Sequence, residues 1–439
     1  MRSVSSNSEA VELTGLSGMD PKSYLAGEVI SLSEALFIGI DISKENNLAQ
    51  FMDSDGEIIS KPLSFPNNQK GLEAFLKFIQ RLSKNHSPSK INIGMEATGF
   101  YWWHILEALE DFAPDSSEVQ LFTINPSLVK QFKKTYTTLP KTDAIDAWVI
   151  ADRLRFGRLN PVDKRSLLYA PLARLTRLRY NLKKNIRNEK NRALKLISLK
   201  FSDFFKASGK RTFNNSSLEL LNEFSLEQVA EMPIEELAEF ILAKGNNRTK
   251  NPQEFAKAIK KAAKNSYRLN PKMEDSVSVA LSMTIENIRF LENQCKKIDK
   301  SIARELKAID QTLTTIPGIG PALAAGIVSE IGGVKRFPSE KSLAKFAGLT
   351  WHKTQSGDFE AEETSLTKSG NVFLRYYLVE AANSLRLHNK EYAAYYNRKY
   401  QEATKHKHKR ALVLTARKFV RLVFALLSKG QIYQEGRNN

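Results

Sequence analysis

The chain has 439 residues, with 66 Lys and Arg against 48 Asp and Glu, six His and one Cys. That length suits two to four domains at roughly 100–200 residues each, and 42% hydrophobic residues exclude a disordered chain. The single Cys295 excludes a disulfide framework and a zinc site on paired cysteines; with no apolar run of roughly 18–20 residues and no leader pattern in 1–34, a cytoplasmic protein without a membrane span is expected.

Residues 1–34 are rich in Ser, Gly and Glu with weak periodicity, so a mobile N-terminal extension is expected. At Ala35–Ser43 the pattern changes to a β-branched, apolar run. Residues 47–53 and 57–65 alternate around the turn Asp53-Ser-Asp-Gly56, which predicts a hairpin. Leu72, Phe75, Leu76, Phe78 and Ile79 recur at helical spacing across 71–82. A strand follows at 90–97, a helix at 101–112, a strand at 119–124, and helices from Pro126 and Thr142. Three strands, a helix, then strand–helix–strand–helix is the element order of a ribonuclease-H-like α/β fold, a mixed five-stranded sheet with helices packed on it. This domain is expected at 35–160.

From 161 to 310 the chain reads as helical and charged. Leu172, Leu175, Leu178, Leu182 and Ile186 form one seam, and Met283, Ile285, Ile288, Leu291, Ile298 and Ile302 another. They predict two arms of a coiled coil, with an insertion near 206–271. Long seams of this kind often mediate association, so a homodimer or homotetramer is expected. A mainly helical C-terminal domain follows at 311–439.

The net charge of +18 is concentrated. Between 157 and 211 sixteen Lys and Arg stand against three acids, Asp163, Glu189 and Asp203, and a second basic stretch runs from Arg398 to Arg421. With so few acids available for i,i+4 pairing, these clusters favour a polyanion partner over a merely solvated helix face, because neutralised phosphates release counterions. Lys183, Lys184 and Arg187 are the candidate nucleic-acid contacts in the first cluster, which is read as an RNA surface.

Four carboxylates suggest a metal site. Asp41 follows Phe37, Ile38 and Ile40 in the first strand, where a bare carboxylate costs several kcal/mol unless paired or metal-bound. Glu96 ends the fourth strand. Asp143 and Asp146 lie three apart at the start of a helix, on one face. Alone, that pair would also suit the positive end of the helix dipole, and Glu96 could be an ordinary strand-end residue. In the expected sheet the first and fourth strands are neighbours, so the four can meet. Hard oxygen ligands suit Mg2+ or Mn2+, and two such ions ~3.5–4 Å apart would flank a scissile phosphate.

The stretch 313–333 contains the turn Ile316-Pro-Gly-Ile-Gly320 followed by small residues, a pattern similar to a helix–hairpin–helix. Gly318 and Gly320 would let turn amides approach phosphate oxygens; an ordinary glycine turn between helices has the same sequence. Ser356 precedes Gly357 in a polar loop beside His352 and Lys353. Such a hydroxyl could attack phosphorus with cations stabilising the developing charge, although serine before glycine is also a common turn residue.

Gly39-Ile-Asp-Ile-Ser-Lys44, Gly94-Met-Glu-Ala-Thr-Gly99, Lys141-Thr-Asp-Ala-Ile-Asp-Ala147, Ile316-Pro-Gly-Ile-Gly320 and Gln355-Ser-Gly357 occur in that order. From about Ala35 to Lys429 the chain resembles the DEDD transposases of bacterial and archaeal insertion sequences, the bridge-RNA-guided serine recombinases. The resemblance implies a RuvC-like N-terminal domain, a coiled-coil middle and a C-terminal transposase domain. It implies that Asp41, Glu96, Asp143 and Asp146 bind metal and that Ser356 is the nucleophile forming a phosphoserine linkage. It further implies that the acids of one subunit meet the serine of another in a tetramer, while a noncoding bridge RNA pairs with donor and target double-stranded DNA. The family's second serine stretch is replaced here by Leu366-Thr-Lys-Ser-Gly370, in which Thr367 keeps a hydroxyl and Lys368 is a candidate nucleic-acid contact. Two other readings fit the same residues: a Holliday-junction-resolvase-like endonuclease using water as nucleophile, and a non-catalytic architectural nucleic-acid-binding protein, which the acid cluster disfavours.

Overall fold

The computed structural model describes residues 35–97, 99–112, 118–136, 139–140, 142–162, 168–351, 355–356, 359–360 and 366–435, with backbone alone at 355–356 and 359–360. The expected extension at 1–34 lies outside them. Two compact units divide between residues 164 and 165.

The first unit is built on a five-stranded mixed sheet in the order β3-β2-β1-β4-β5. Strand β1 (Ala35–Asp41) is antiparallel to β2 (Asn46–Met52), which is antiparallel to β3 (Leu63–Pro66). On its other side β1 is parallel to β4 (Lys90–Glu96), itself parallel to β5 (Glu118–Ile124). The central strands are apolar almost throughout because both faces are covered; Leu36, Ile38, Ile40, Ile91, Ile93 and Met95 are buried. Helix α1 (Gln69–His86) carries the chain from β3 at one edge to β4, and α2 (Trp103–Glu110) connects β4 to its parallel neighbour β5, as such a pair requires. Helices α3 (Pro126–Lys133) and α4 (Asp143–Arg155) follow, and α4 lies on β1, β2 and β4.

One strand starts later than its alternation predicts. The stretch 57–65 pairs as a strand only from Leu63, and Ile58 makes a lone bridge to Met52. The reason is local: Asp53 Oδ1 accepts from the amides of Asp55, Gly56 and Glu57, each at 2.9 Å. That carboxylate holds the chain in a turn, and Pro62 offers no ladder donor.

Two glycines set the approach of α4 to the sheet. A Cβ on Gly39 would lie 2.3 Å from both the Ala147 carbonyl oxygen and the Ala151 amide nitrogen, and one on Gly94 would lie 2.6 Å from Leu154. Backbone atoms cannot yield as a flexible side chain can. Gly39→Ala is therefore expected to destabilise this unit by about 3 kcal/mol, seen as a lower denaturant midpoint. A loss below about 0.5 kcal/mol would show that α4 is free to move away.

The second unit is helical. Helices α5 (Ala170–Lys200) and α11 (Pro271–Leu306) pack along each other, joined by Arg179–Asp299 at 2.5 Å and Lys190–Glu292 at 2.7 Å. At one end, α6 (Phe204–Ser208), α7 (Asn215–Glu223), α8 (Leu226–Glu231), α9 (Ile234–Lys244) and α10 (Pro252–Asn265) close over a core with Ala193, Ile197, Leu281 and Ile285. At the other end, Leu172, Ile302 and Leu306 enter a second core with α12 (Pro321–Ile331), α13 (Glu340–Phe346), α14 (Val372–His388), α15 (Lys390–Glu402) and α16 (Lys407–Lys429). A short hairpin, β6 (Gln355–Ser356) and β7 (Phe359–Glu360), lies between α13 and α14 in the chain. Among the described residues no helix is long and apolar enough to cross a membrane.

Candidate active site

Asp41 ends β1, and the parallel register Gly39↔Gly94, Ile40↔Met95 brings the end of β4, and so Glu96, alongside it. Strand alternation puts Asp41 on the same face as Gly39, the face that α4 covers. Thr142 caps α4 through the Ile145 amide at 3.3 Å, which fixes the first turn carrying Asp143 and Asp146. The four acids named from the sequence are thus gathered at one end of the sheet. Asp41, Glu96 and Asp146 are partly buried and Asp143 is exposed.

Their proximity is electrostatic as well as topological. Burial first, and then the charges of Asp146, Asp143 and Glu96, together raise the Asp41 pKa from 3.8 to about 6, against the opposing Lys133. Lys133, at the end of α3, forms an ion pair with Asp146. The site is an anionic cluster with the Lys133 cation lodged at its edge. Among the described residues no three carboxylate, imidazole or thiolate groups already converge as a metal ligand set. The donor chemistry is that of a hard divalent ion, and a cation taking Lys133's place at Asp146 would relieve the mutual repulsion at Asp41.

That repulsion has a sign that can be checked. The folded chain holds the Asp41 proton more tightly than the unfolded chain, so ionising it costs stability as pH rises from about 4 through about 6. Asp41→Asn is expected to be more stable than wild type above pH 6, by about 1–2 kcal/mol after allowing for solvent screening. The two should converge near pH 4. Thermal melts in chelator across pH 4–8 measure this, and Mg2+ should raise the melting temperature of the wild type more than that of the variant. A destabilised Asp41→Asn at pH 7 would contradict the repulsion.

Ser356 pairs with Phe359 across the β6–β7 hairpin through its backbone. Lys353 and His352 lie outside the described residues. The base of this segment is firm: Trp351 bridges Leu366, the Thr367 amide donates to the Thr350 carbonyl at 2.8 Å, and the two threonine hydroxyls are 3.1 Å apart. Lys368 is exposed with φ +52°, and Asn371 caps α14 through the Phe373 and Leu374 amides.

At the glycine turn, the expected first helix of a hairpin is a single 3-10 turn, Leu313–Thr315, following the end of α11 at Leu306. Gly318 has φ +90° and its carbonyl accepts from Ser384 Oγ at 2.6 Å, so α14 holds one side of the turn. Gly320 caps α12, and beyond its chain neighbours no atom of the described residues lies within 4 Å of where its Cβ would be, so that side is open. Lys183, Lys184 and Arg187 are exposed on α5 and make no ion pair among the described residues. Other cations of the cluster are occupied: Arg177 binds Glu330 through two bonds at 2.7 and 2.8 Å, and Arg179 and Lys190 tie α5 to α11.

Sequence spacing did not single out Lys133, which sits thirteen residues and a turn away from the aspartate it neutralises. Nor did it find Asp152, buried on α4 and bonded to the Tyr136 hydroxyl and to Arg155 at 2.8 Å. Glu330, buried between Arg177 and Asn371 Nδ2 (2.7 Å), was also missed. Each depends on partners from different elements.

Residues 38–202 match the DEDD transposase profile of the IS110 type, and residues 310–397 match the profile described as transposase IS116/IS110/IS902 family. The chain is 27% identical over 195 residues to the transposase for insertion sequence element IS1111A of Coxiella burnetii, covering 42% of this chain and 53% of that one. It is 28% identical over 159 residues to a 43.6 kDa protein of insertion element IS110 of Streptomyces coelicolor, covering 36% and 37%. A pilin gene-inverting protein of Moraxella bovis is 24% identical over 347 residues, covering 77% and 79%. The match thus spans about half or less of the first two relatives and most of the third.

Proposed function

The chain belongs to the IS116/IS110/IS902 family of transposases, and from that premise we propose that it is a DNA recombinase that cleaves and exchanges strands of an insertion element. The observation that carries this reading is the gathering of Asp41, Glu96, Asp143 and Asp146 by β1, β4 and α4, registered as a raised pKa at Asp41. Carboxylates set against a phosphate backbone repel it unless cations intervene, so the cluster favours catalysis over passive binding. The sheet order and helical crossovers support a ribonuclease-H-like, RuvC-like domain.

In this reading the acids hold Mg2+ or Mn2+. Bound ions would supply Lewis-acid stabilisation of charge on the scissile phosphate. Ser356 Oγ loses its proton to solvent or a neighbouring base and bonds to phosphorus, and the phosphorus–oxygen bond to one strand end breaks, releasing a hydroxyl. A hydroxyl from another strand then attacks the phosphoserine and frees the serine. Bond types are conserved, so no high-energy cofactor is needed. Kinship with a pilin gene-inverting protein fits exchange between two DNA sites. The exposed Lys183, Lys184 and Arg187 and the open side of the Ile316–Gly320 turn would contact nucleic acid, as would Lys353 and Lys368, which flank the serine in sequence. A bridge RNA pairing with donor and target DNA, and assembly as a homodimer or homotetramer, complete the proposal.

The test is a protein–DNA adduct. Incubated with Mg2+, DNA spanning the element's ends and any RNA copurified from cells carrying the element, the protein should produce a species that survives denaturation. Cleavage without an adduct would instead favour a resolvase-like hydrolase. Sequencing the copurified RNA should give one discrete species encoded beside the gene.

A further inference from the structure

At the acid-bearing end of the sheet, but on its opposite face, lies a cleft of about 520 Å3 between β2, the β3–α1 turn and α2. Its floor is apolar: Phe65, Leu72 and Ile105. Asn47 belongs to this lining, and its position follows from register. Leu48 pairs with Asp41, so the pleat sends the neighbouring Asn47 to the other face, beside its own partner Phe65. Asn47 is 1% exposed. Its Oδ1 accepts from the Ser43 amide at 3.2 Å, while its Nδ2 is buried with no hydrogen-bond partner among the described residues. Leaving a buried amide donor unpaired forfeits its hydration without replacement, and such groups are rare enough to need an explanation.

The rest of the wall explains it. The cleft opens at the N-terminus of the 18-residue α1, where Asn68 caps only the Gly71 amide and the other first-turn amides point outward. Opposite, α2 contributes His104 and Glu107. Donors along one wall, a carboxylate on the other and an apolar floor do not suit a bare phosphate, which Glu107 would repel. They suit a flat, apolar-faced molecule with a carbonyl beside an N–H, and the volume is in the range of small-ligand clefts, roughly 300–1,000 Å3. We propose that this cleft takes a single unstacked nucleobase of the keto type (guanine, thymine or uracil) from a strand passing the acid-bearing end of the sheet, with Asn47 Nδ2 donating to its carbonyl and Glu107 accepting from its N–H. Choosing a nucleobase as the occupant rests on the recombinase reading. An extruded base beside the acids would pin the strand in register, as flipped bases do in other enzymes that act on nucleic acid.

The experiment is saturation-transfer NMR on the full chain with GMP, dTMP, UMP and AMP, and ribose 5-phosphate as the phosphate control. Saturation of base protons is expected for the first three, weaker for AMP, and absent for the control; dTMP against UMP separates a DNA from an RNA source. Asn47→Leu removes the orphan donor and should keep or raise the melting temperature while weakening base binding at least fivefold. Ala108→Phe, from the α2 wall, should block the cleft in the same way and guards against a folding fault in the first variant. No base saturation in the wild type, or saturation unchanged in the two variants, overturns the proposal. So does a response to ribose 5-phosphate equal to that of GMP. Because the readout needs no cleavage, base binding without any DNA adduct would sink the recombinase reading alone, and adduct formation without base binding would sink the cleft alone.

Discussion

DNA cleavage by Asp41→Asn should fall about a thousandfold or more, roughly 4 kcal/mol of lost transition-state stabilisation, in a protein that is more stable than wild type at neutral pH. The pairing of these two effects is the informative part. Burial and three neighbouring carboxylates raise the Asp41 pKa, so its charge is a cost to the fold. A site kept in that strained state gains from being neutralised, whether by a proton, an amide or a metal ion. In the proposed mechanism function requires the third of these, and stability is indifferent among them; such trade-offs are usual at active sites. Cleavage on a denaturing gel at saturating Mg2+, beside melts in chelator, separates the two. Undiminished cleavage would remove the metal site from the mechanism, and a large loss of stability would mean that Asp41 is a structural residue.

Ser356→Ala should abolish the covalent adduct and reduce strand exchange by at least about 10^4-fold, with DNA and RNA affinity unchanged. The backbone pairing of Ser356 with Phe359 does not depend on the hydroxyl, so the hairpin should survive. Thr367→Ala is the matched control. Its hydroxyl is 3.1 Å from that of Thr350, and losing it should cost about 1 kcal/mol of stability while the adduct still forms. An adduct in Ser356→Ala that disappears in Thr367→Ala would move the nucleophile to Thr367. Mixing Asp41→Asn with Ser356→Ala gives a further reading. If the acids of one subunit serve the serine of another, exchange should return to a measurable fraction of wild type; sites contained within one chain would stay inactive.

Most of the elements, and the residues that carry the proposed chemistry, are legible in the sequence. Alternation and helical spacing are local properties, so β1, β2, β4, β5 and the long arms α5 and α11 could be placed before any contact was known. Asp41 after three apolar residues, and Asp143 three before Asp146, were legible for the same reason: a carboxylate out of place in a strand, and two on one helix face, are short-range signals. The five ordered motifs added the family. What these residues experience depends on contacts between distant elements. The late start of β3 follows from a carboxylate that captures three amides, a competition no periodicity records. The closeness of α4 to β1 depends on the absent side chain of Gly39, whose reason is Ala147 and Ala151, more than a hundred residues away. The raised pKa of Asp41, the ion pair of Lys133 with Asp146 and the unpaired Nδ2 of Asn47 are energies of proximity. They arise between elements distant in the chain, where Coulomb interaction and desolvation depend on separation in space, and separation in sequence carries no measure of that.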